Sequence, residues 1–237
     1  VLEDLTEEER QKLYRILGVE SVSEIFAYLE DEVGKYINEL DSEKAADIIE
    51  SMDADDAVDI LDELEDDKSD EIKKLMDEDA RQDIDLILSY DDDQIGSRMT
   101  TNFIAVKKNS TVRQAMKSLI NQAAENDNIS TIYVVNDDDT FYGAVDLKDL
   151  IIARDYQDFE TLISTSYPYV YAEEKTGECI EELKDYSEDS IPVLSNDNKI
   201  LGVITAQDLV EAVDEEMGDD YAKLAGLTAE EDLNEPF

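Results

Sequence analysis

The apolar positions of this chain follow two regimes. Up to about residue 98 they recur at helical spacing; beyond it they gather into short runs separated by turn residues. Within residues 40–88 the helical regime repeats about every twelve residues. Leu40-Asp41-Ser42 opens a segment with Ala45, Asp47, Ile48 and Ile49, and Met52-Asp53-Ala54 opens one with Ala57, Asp59, Ile60 and Leu61. Leu64 and Met76 start two weaker copies, with Ile72 and Ile84 in the place of Ile48. Ala57, Ile60, Leu61 and Leu64 stand at i, i+3, i+4 and i+7 and make one apolar face. In each copy an apolar residue precedes Asp, Ser or Glu, and a short amphipathic helix follows. Asp41, Ser42, Asp53 and Asp55 are the candidate N-caps. Helices this short need neighbours to bury their faces, so the repeat predicts a stacked superhelix.

The regime changes at Tyr90-Asp91-Asp92-Asp93-Gln94-Ile95-Gly96. Strands are then expected at Phe103–Val106, Thr131–Val135 and Phe141–Asp146. A helix opens near Thr111 and runs to Ala124, and a second begins at Leu147. The same order returns: strand at Tyr169–Tyr171, helix from Gly177 to Tyr186, strands at Ser190–Leu194 and Ile200–Thr205, and a long helix from Ala206. Residues 99–212 therefore read as two copies of a β-α-β-β-α unit. Asp137-Asp138-Asp139 falls in the first hairpin turn and reads as turn chemistry. Asp91-Asp92-Asp93 reads as an acidic interdomain linker, since it lacks the Gly and distal Glu of a calcium loop. The fold class expected is α+β and multi-domain, with an all-α superhelix ahead of a tandem pair.

Charge narrows the function. The chain has 64 Asp and Glu against 20 Lys and Arg, no His, and a formal net charge of −44. Such self-repulsion opposes compaction unless cations neutralise it. Nucleic acid and anionic membrane surfaces are poor partners, because like charge repels phosphate and no basic stripe exists to meet it. Without imidazole, and with Cys179 as the single thiol, soft-metal sites and His-based catalysis are excluded too. Carboxylate oxygens suit Mg²⁺, Ca²⁺ or Mn²⁺. One Cys forms no internal disulfide, which fits a reducing compartment. No constellation of an enzyme can be singled out. A solvated, halophile-like surface is the plainer explanation of the acidity. There is no signal peptide and no apolar run long enough to span a bilayer. The start at Val1-Leu2-Glu3, without Met, suggests a fragment.

The C-terminal helix concentrates the carboxylates. Asp208, Glu211, Glu215 and Asp219 lie at i, i+3, i+7 and i+11, flanked by Glu216 and Asp220. Val210, Val213, Met217, Tyr221 and Leu224 form the apolar stripe opposite. Like charges at i, i+4 cost a helix a few tenths of a kcal/mol per pair, so a stripe of this kind opposes its own helix.

The tandem unit resembles a pair of CBS domains. The resemblance is carried by Ile191-Pro192-Val193 and Gly202-Val203-Ile204-Thr205-Ala206-Gln207-Asp208-Leu209, and more weakly by Gly143-Ala144-Val145-Asp146-Leu147-Lys148-Asp149-Leu150. The acidic helical repeat, Gly96-Ser97-Arg98-Met99-Thr100-Thr101, the pair, and an exit helix ending Tyr221-Ala222-Lys223-Leu224-Ala225-Gly226-Leu227 together resemble the cytosolic half of MgtE-type magnesium transporters. That resemblance implies a helical N domain over 1–98, CBS domains over 99–160 and 161–212, and an exit helix over 213–237. The exit helix would lead to a membrane domain absent from this sequence. It further implies a homodimer through the CBS pair and a place on the cytoplasmic face of the membrane. Mg²⁺ would be sensed there: the helical domain swings away when Mg²⁺ is scarce, and the pore closes when it is abundant.

By the same resemblance the Mg²⁺ ligands fall on Asp208, Glu211, Glu216, Asp219 and Asp220, on Asp55 and Asp59 in the helical repeat, and on the carbonyl of Gly96. Asp56 competes for the Asp55/Asp59 register, and Glu211 replaces an Asp. Ser187 stands where a further acidic ligand is expected, with Glu188 and Asp189 beside it. CBS clefts often bind adenine nucleotides, so ATP or AMP is the alternative ligand, with Gly202, Thr205 and Asp208 matching the ribose and phosphate contacts. Asp146 in the first copy opposes phosphate. Tyr167, Tyr169 and Tyr171 could stack on a base, although aromatic residues at strand spacing are more often core.

Overall fold

The structure is a computed structural model and describes residues 2–29, 33–124, 126, 128–183, 186, 188–210 and 212–213. It forms two compact units, Val1–Tyr90 and Asp91–Phe237.

The first unit is helical. Its helices are α1 (Glu7–Leu17), α2 (Val19–Ala27), α3 (Val33–Asn38), α4 (Ser42–Ile49), α5 (Ala54–Asp62), α6 (Asp66–Leu75) and α7 (Glu78–Ile87). The last four begin twelve residues apart, as the repeat predicts. Each packs on the helix two further along: α2 on α4, α3 on α5, α4 on α6 and α5 on α7. Ile48, Ile60, Ile72 and Ile84 are all buried, which makes them the continuous spine of the superhelix. The neighbouring position is Ile49 and Leu61 in the first two copies but Lys73 and Asp85 in the last two, so the later copies bury less.

Asp41 caps α4 by accepting from the Lys44 amide at 3.1 Å, and Asp53 holds the N-cap position of α5. Ser42 and Asp55, also expected as caps, lie inside the first turns instead. Helices bury their ends here by borrowing carboxylates from other helices. Glu63 accepts from the Gly34 amide at 2.7 Å in the first turn of α3, and Glu50 accepts from the Asp77 amide at 2.9 Å ahead of α7. A fraction of the acidic excess is therefore structural, satisfying donors that helix N-termini leave over.

The second unit holds two three-stranded sheets. The first has β1 (Ile104–Lys107), α8 (Val112–Gln122), β2 (Thr131–Val135), β3 (Phe141–Asp146) and α9 (Leu147–Ile152). The second has β4 (Val170–Tyr171), α10 (Thr176–Leu183), β5 (Ser190–Leu194) and β6 (Ile200–Thr205). In each sheet the first two strands are parallel and the last two antiparallel, with a register shift before the hairpin turn. Both turns need one residue in the left-handed region, supplied by Asp139 (φ 67°) and Asn198 (φ 59°), residue types that tolerate it. Asp138 accepts from the Thr140 amide and hydroxyl, so the acidic triplet does act as turn chemistry.

Each copy completes the sheet of the other. Thr100, ahead of β1, exchanges two 2.9 Å hydrogen bonds with Val203 on β6. Ser164, ahead of β4, does the same with Ala144 on β3, at 3.1 and 2.8 Å. This backbone approach needs a residue without Cβ next door. A Cβ on Gly143 would sit 2.4 Å from the Ser164 carbonyl oxygen, and one on Gly202 2.6 Å from that of Thr100. The motif Gly96–Thr101 is thus an integral edge of the second copy, with Met99 and Thr100 buried. Between the sheets, the buried Tyr133 hydroxyl meets Ser190 Oγ at 2.7 Å, and Tyr167 donates to the Ser190 carbonyl at 2.7 Å.

Candidate cation and nucleotide sites

The carboxylates of α5 follow from its repeat. Asp53 caps the helix, Asp55 and Asp56 fill its first turn, and Asp59 stands one turn on from Asp55. The apolar face of Ala57, Ile60 and Leu61 is buried; Asp59 is exposed, Asp56 is half-buried, and Asp55 is half-buried with its Oδ1 shielded from solvent. The helix N-terminus favours Asp55 and Asp56 electrostatically, an advantage Asp59 lacks.

Gly96 lies in a short 3-10 turn, Ile95–Arg98, at the edge of the second copy. Its amide donates to the Ala172 carbonyl at 3.0 Å, and Ile95 donates to Glu174 at 2.8 Å. Asp93 holds the same edge, pairing with Lys175 and accepting from the Thr176 amide at 2.9 Å. The stretch expected as a linker therefore packs on the second unit as a bound edge.

Thr205 and Asp208 form a reciprocal cap on the helix that opens at Ala206. Asp208 Oδ2 accepts from the Thr205 amide at 2.7 Å and Oδ1 from its hydroxyl at 2.8 Å, while Thr205 Oγ1 lies 3.3 Å from the Asp208 amide. In the first copy the cap is simpler: Asp146 accepts from the Lys148 amide at 2.7 Å. Asp208 thus has a structural task that spacing alone did not reveal. A carboxylate offers about four lone-pair sites, so this cap by itself does not exclude a hydrated cation on its outer side.

Glu211, Glu216, Asp219 and Asp220, like Ser187 and the exit helix from residue 214 onward, lie outside the described residues. Among the described residues no group of three or more acidic or Cys side chains is close enough to cage a metal. That is compatible with Mg²⁺, which keeps most of its water and takes one or two carboxylates. The three tyrosines divide: Tyr167 is half-buried and bonded, whereas Tyr169 is 48% exposed, in edge contact with Phe141 and Tyr171. Tyr169 is a surface aromatic where strand spacing suggested core.

A short-helix superhelix followed by a pair of mutually completed β-α-β-β units is the architecture of a helical domain joined to tandem CBS domains. The family models agree: the MgtE intracellular N domain matches residues 1–93, and the CBS domain matches residues 93–156 and 159–215. The chain is 37% identical over 238 residues to the magnesium transporter MgtE of Enterococcus faecalis, covering 99% of this chain and 52% of that protein. It is 25% identical over 143 residues to MgtE of Thermus thermophilus, covering 60% of this chain and 32% of that protein. The fold is similar to the soluble part of a magnesium transporter, with a TM-score of 0.85, 29% identity, and 90% and 85% of the two chains covered. It is also similar to the cytosolic domain of the Mg²⁺ channel MgtE in complex with ATP, with a TM-score of 0.81, 25% identity, and 89% and 86% covered. The chain belongs to the MgtE family and comprises its intracellular N domain and CBS pair. It spans about half the length of the Enterococcus relative, and about a third of the Thermus relative is matched.

Proposed function

We propose that this chain is the Mg²⁺-sensing, gating region of a magnesium transporter, acting at the cytoplasmic face of the membrane. The observation that carries the reading is the co-linear match of nearly the whole chain to a magnesium transporter, in a sequence whose net charge of −44 demands cations. The sensing carboxylates are Asp55, Asp59, Asp208, Glu211, Glu216, Asp219 and Asp220, with the Gly96 carbonyl. Scarce Mg²⁺ leaves them repelling one another; abundant Mg²⁺ neutralises them, and the exit helix over 213–237 passes the change to the pore. Turning a 1:99 equilibrium into 99:1 needs about 5.5 kcal/mol of differential binding. Shared over several ions, each contributes on the order of 1 kcal/mol, which weak, water-rich sites supply. The pair also forms a homodimer. In support, Ile120 on α8 and Ile151 and Ile152 on α9 are more than 60% exposed, and Val210 repeats the Ile151 position in the second copy.

Small-angle scattering of the chain at fixed ionic strength, titrating Mg²⁺ against matched NaCl, tests this. A saturable contraction that Na⁺ does not reproduce, lost on replacing Asp208, Asp219 and Asp220 by Ala, is expected. A response equal to the salt control refutes it. A second reading, adenine-nucleotide regulation, is favoured by the ATP complex of the similar cytosolic domain and by the Thr205–Asp208 cap. Calorimetric titration with ATP gives measurable heat under that reading and none without it.

A further inference from the structure

We propose that Thr205 is a specificity-determining residue: by covering the chelating edge of the Asp208 carboxylate, it favours Mg²⁺ over Ca²⁺ there. The inference rests on the reading of Asp208 as a sensing ligand and deepens it. Asp208 is half-buried, and both of its carboxylate oxygens accept from one residue. The Thr205 amide donates to Oδ2 at 2.7 Å and the Thr205 hydroxyl to Oδ1 at 2.8 Å. Two donors of one residue reaching the two oxygens of one carboxylate make a fork, the arrangement by which an arginine grips a carboxylate. A fork occupies the edge on which both oxygens would otherwise close around a single ion.

Two other threonine caps show that the fork is not a consequence of capping as such. Thr6, ahead of α1, donates from its amide at 2.9 Å and its hydroxyl at 2.8 Å, both to Oε2 of Glu9. Thr111, ahead of α8, donates from its amide at 2.9 Å and its hydroxyl at 3.0 Å, both to Oε1 of Gln114. Glutamine has a single acceptor oxygen and can do nothing else. Glutamate has two, but its extra methylene brings the carboxylate in end-on. Aspartate is one methylene shorter and meets the threonine broadside, one oxygen to each donor. The spacing along the chain is the same in all three caps, and of the three only the Asp208 cap engages both oxygens.

The two ions differ in what they ask of a carboxylate. Ca²⁺ gathers many oxygens in flexible geometry and takes a carboxylate through one oxygen or through both at once. Mg²⁺ is smaller, dehydrates reluctantly, and is held by one or two carboxylates with water completing its shell. Chelation of Ca²⁺ by Asp208 displaces both hydrogen bonds from Thr205. Contact through one oxygen, or through an intervening water, uses lone pairs that point away from Thr205 and leaves the fork intact. The fork therefore opposes Ca²⁺ and is nearly indifferent to Mg²⁺.

The test uses the 237-residue chain with carboxyl-labelled aspartate, titrated separately with Mg²⁺ and Ca²⁺ at fixed ionic strength. Binding is followed at the Asp208 carboxyl carbon, assigned by its loss in Asp208→Asn. Thr205→Val removes one arm of the fork and should tighten Ca²⁺ by about threefold to tenfold, the worth of one hydrogen bond, with Mg²⁺ changing by less than about twofold. Thr205→Ser keeps both donors and should match wild type. Thr111→Val weakens a cap of the same kind and should lower the melting temperature as Thr205→Val does, with the ratio of the two affinities unmoved. Asp208→Glu should take up the end-on arrangement of Glu9 and move the ratio in the same direction as Thr205→Val; it carries the test should that variant not fold. An Asp208 signal that answers neither ion would overturn the proposal, as would a ratio in Thr205→Val equal to that of wild type or matched by Thr111→Val. Scattering of the same samples keeps the two readings apart: selectivity at Asp208 without contraction beyond the NaCl control refutes sensing and leaves the role of Thr205 standing.

Discussion

Replacing Gly143 by Ala should uncouple the two CBS copies. The new Cβ would lie 2.4 Å from the Ser164 carbonyl oxygen, 2.9 Å from Ile163 Cγ2 and 3.1 Å from the Ser164 carbonyl carbon. Two of these obstacles are backbone, so no rotamer change relieves them, and the segment must retreat by about 1 Å to reach ordinary contact. That retreat breaks the pair of hydrogen bonds between Ala144 and Ser164. Two bonds at about 0.5–1.5 kcal/mol each, with overpacking of about 1–3 kcal/mol, predict a loss of roughly 2–6 kcal/mol. For a unit of this size the melting temperature should fall by about 5–15 °C. Gly202→Ala should cost less, because two of its three obstacles are atoms of the flexible Met99 side chain. Scanning calorimetry measures both, and amide exchange at Ala144 and Ser164 shows whether the bridge opens. A Gly143→Ala transition within a degree of wild type, or a larger loss at Gly202, would refute the reasoning.

Three further outcomes are expected. Ile72→Ala removes a fully buried spine residue from the superhelix and should destabilise the helical unit by about 2–5 kcal/mol, read by chemical denaturation. Tyr133→Phe strands the buried Ser190 hydroxyl and should cost about 1–3 kcal/mol, part of which the double variant with Ser190→Ala recovers. Alkaline titration should unfold the chain progressively between pH 10 and pH 12. Burial raises Tyr14 and Tyr167 to about 12 and pushes Tyr133 up further. These phenols stay protonated in the fold where the unfolded chain has already ionised, so their stabilisation is complete below about pH 10 and lost as pH climbs through the folded values. Circular dichroism against pH follows it, and stability flat across that interval would contradict the assignment.

Periodicity alone located most of the elements. The spine of Ile48, Ile60, Ile72 and Ile84 was legible because one face of each short helix must be buried, and a twelve-residue repeat places that face identically each time. The strands at Thr131–Val135, Phe141–Asp146, Ser190–Leu194 and Ile200–Thr205 were legible for a similar reason: apolar runs between turn residues have few other uses. Composition determined the absence of imidazole and the surplus of oxygen ligands.

Tertiary structure decided what pairwise proximity decides. Ser164 and Ala144, or Thr100 and Val203, are far apart in sequence, and no local pattern announces that each copy finishes the other's sheet. A glycine at the same place in both strands was the one available hint, since a strand glycine often marks a close backbone approach. The two hydrogen bonds that Thr205 donates to Asp208, the loan of Glu63 to α3 and a buried Tyr14 hydroxyl with no hydrogen-bond partner among the described residues are likewise facts of three-dimensional placement. Sequence sets which groups a chain owns and which faces it must bury. Only the packed fold decides which of those groups are already occupied by one another, and which remain to meet a ligand.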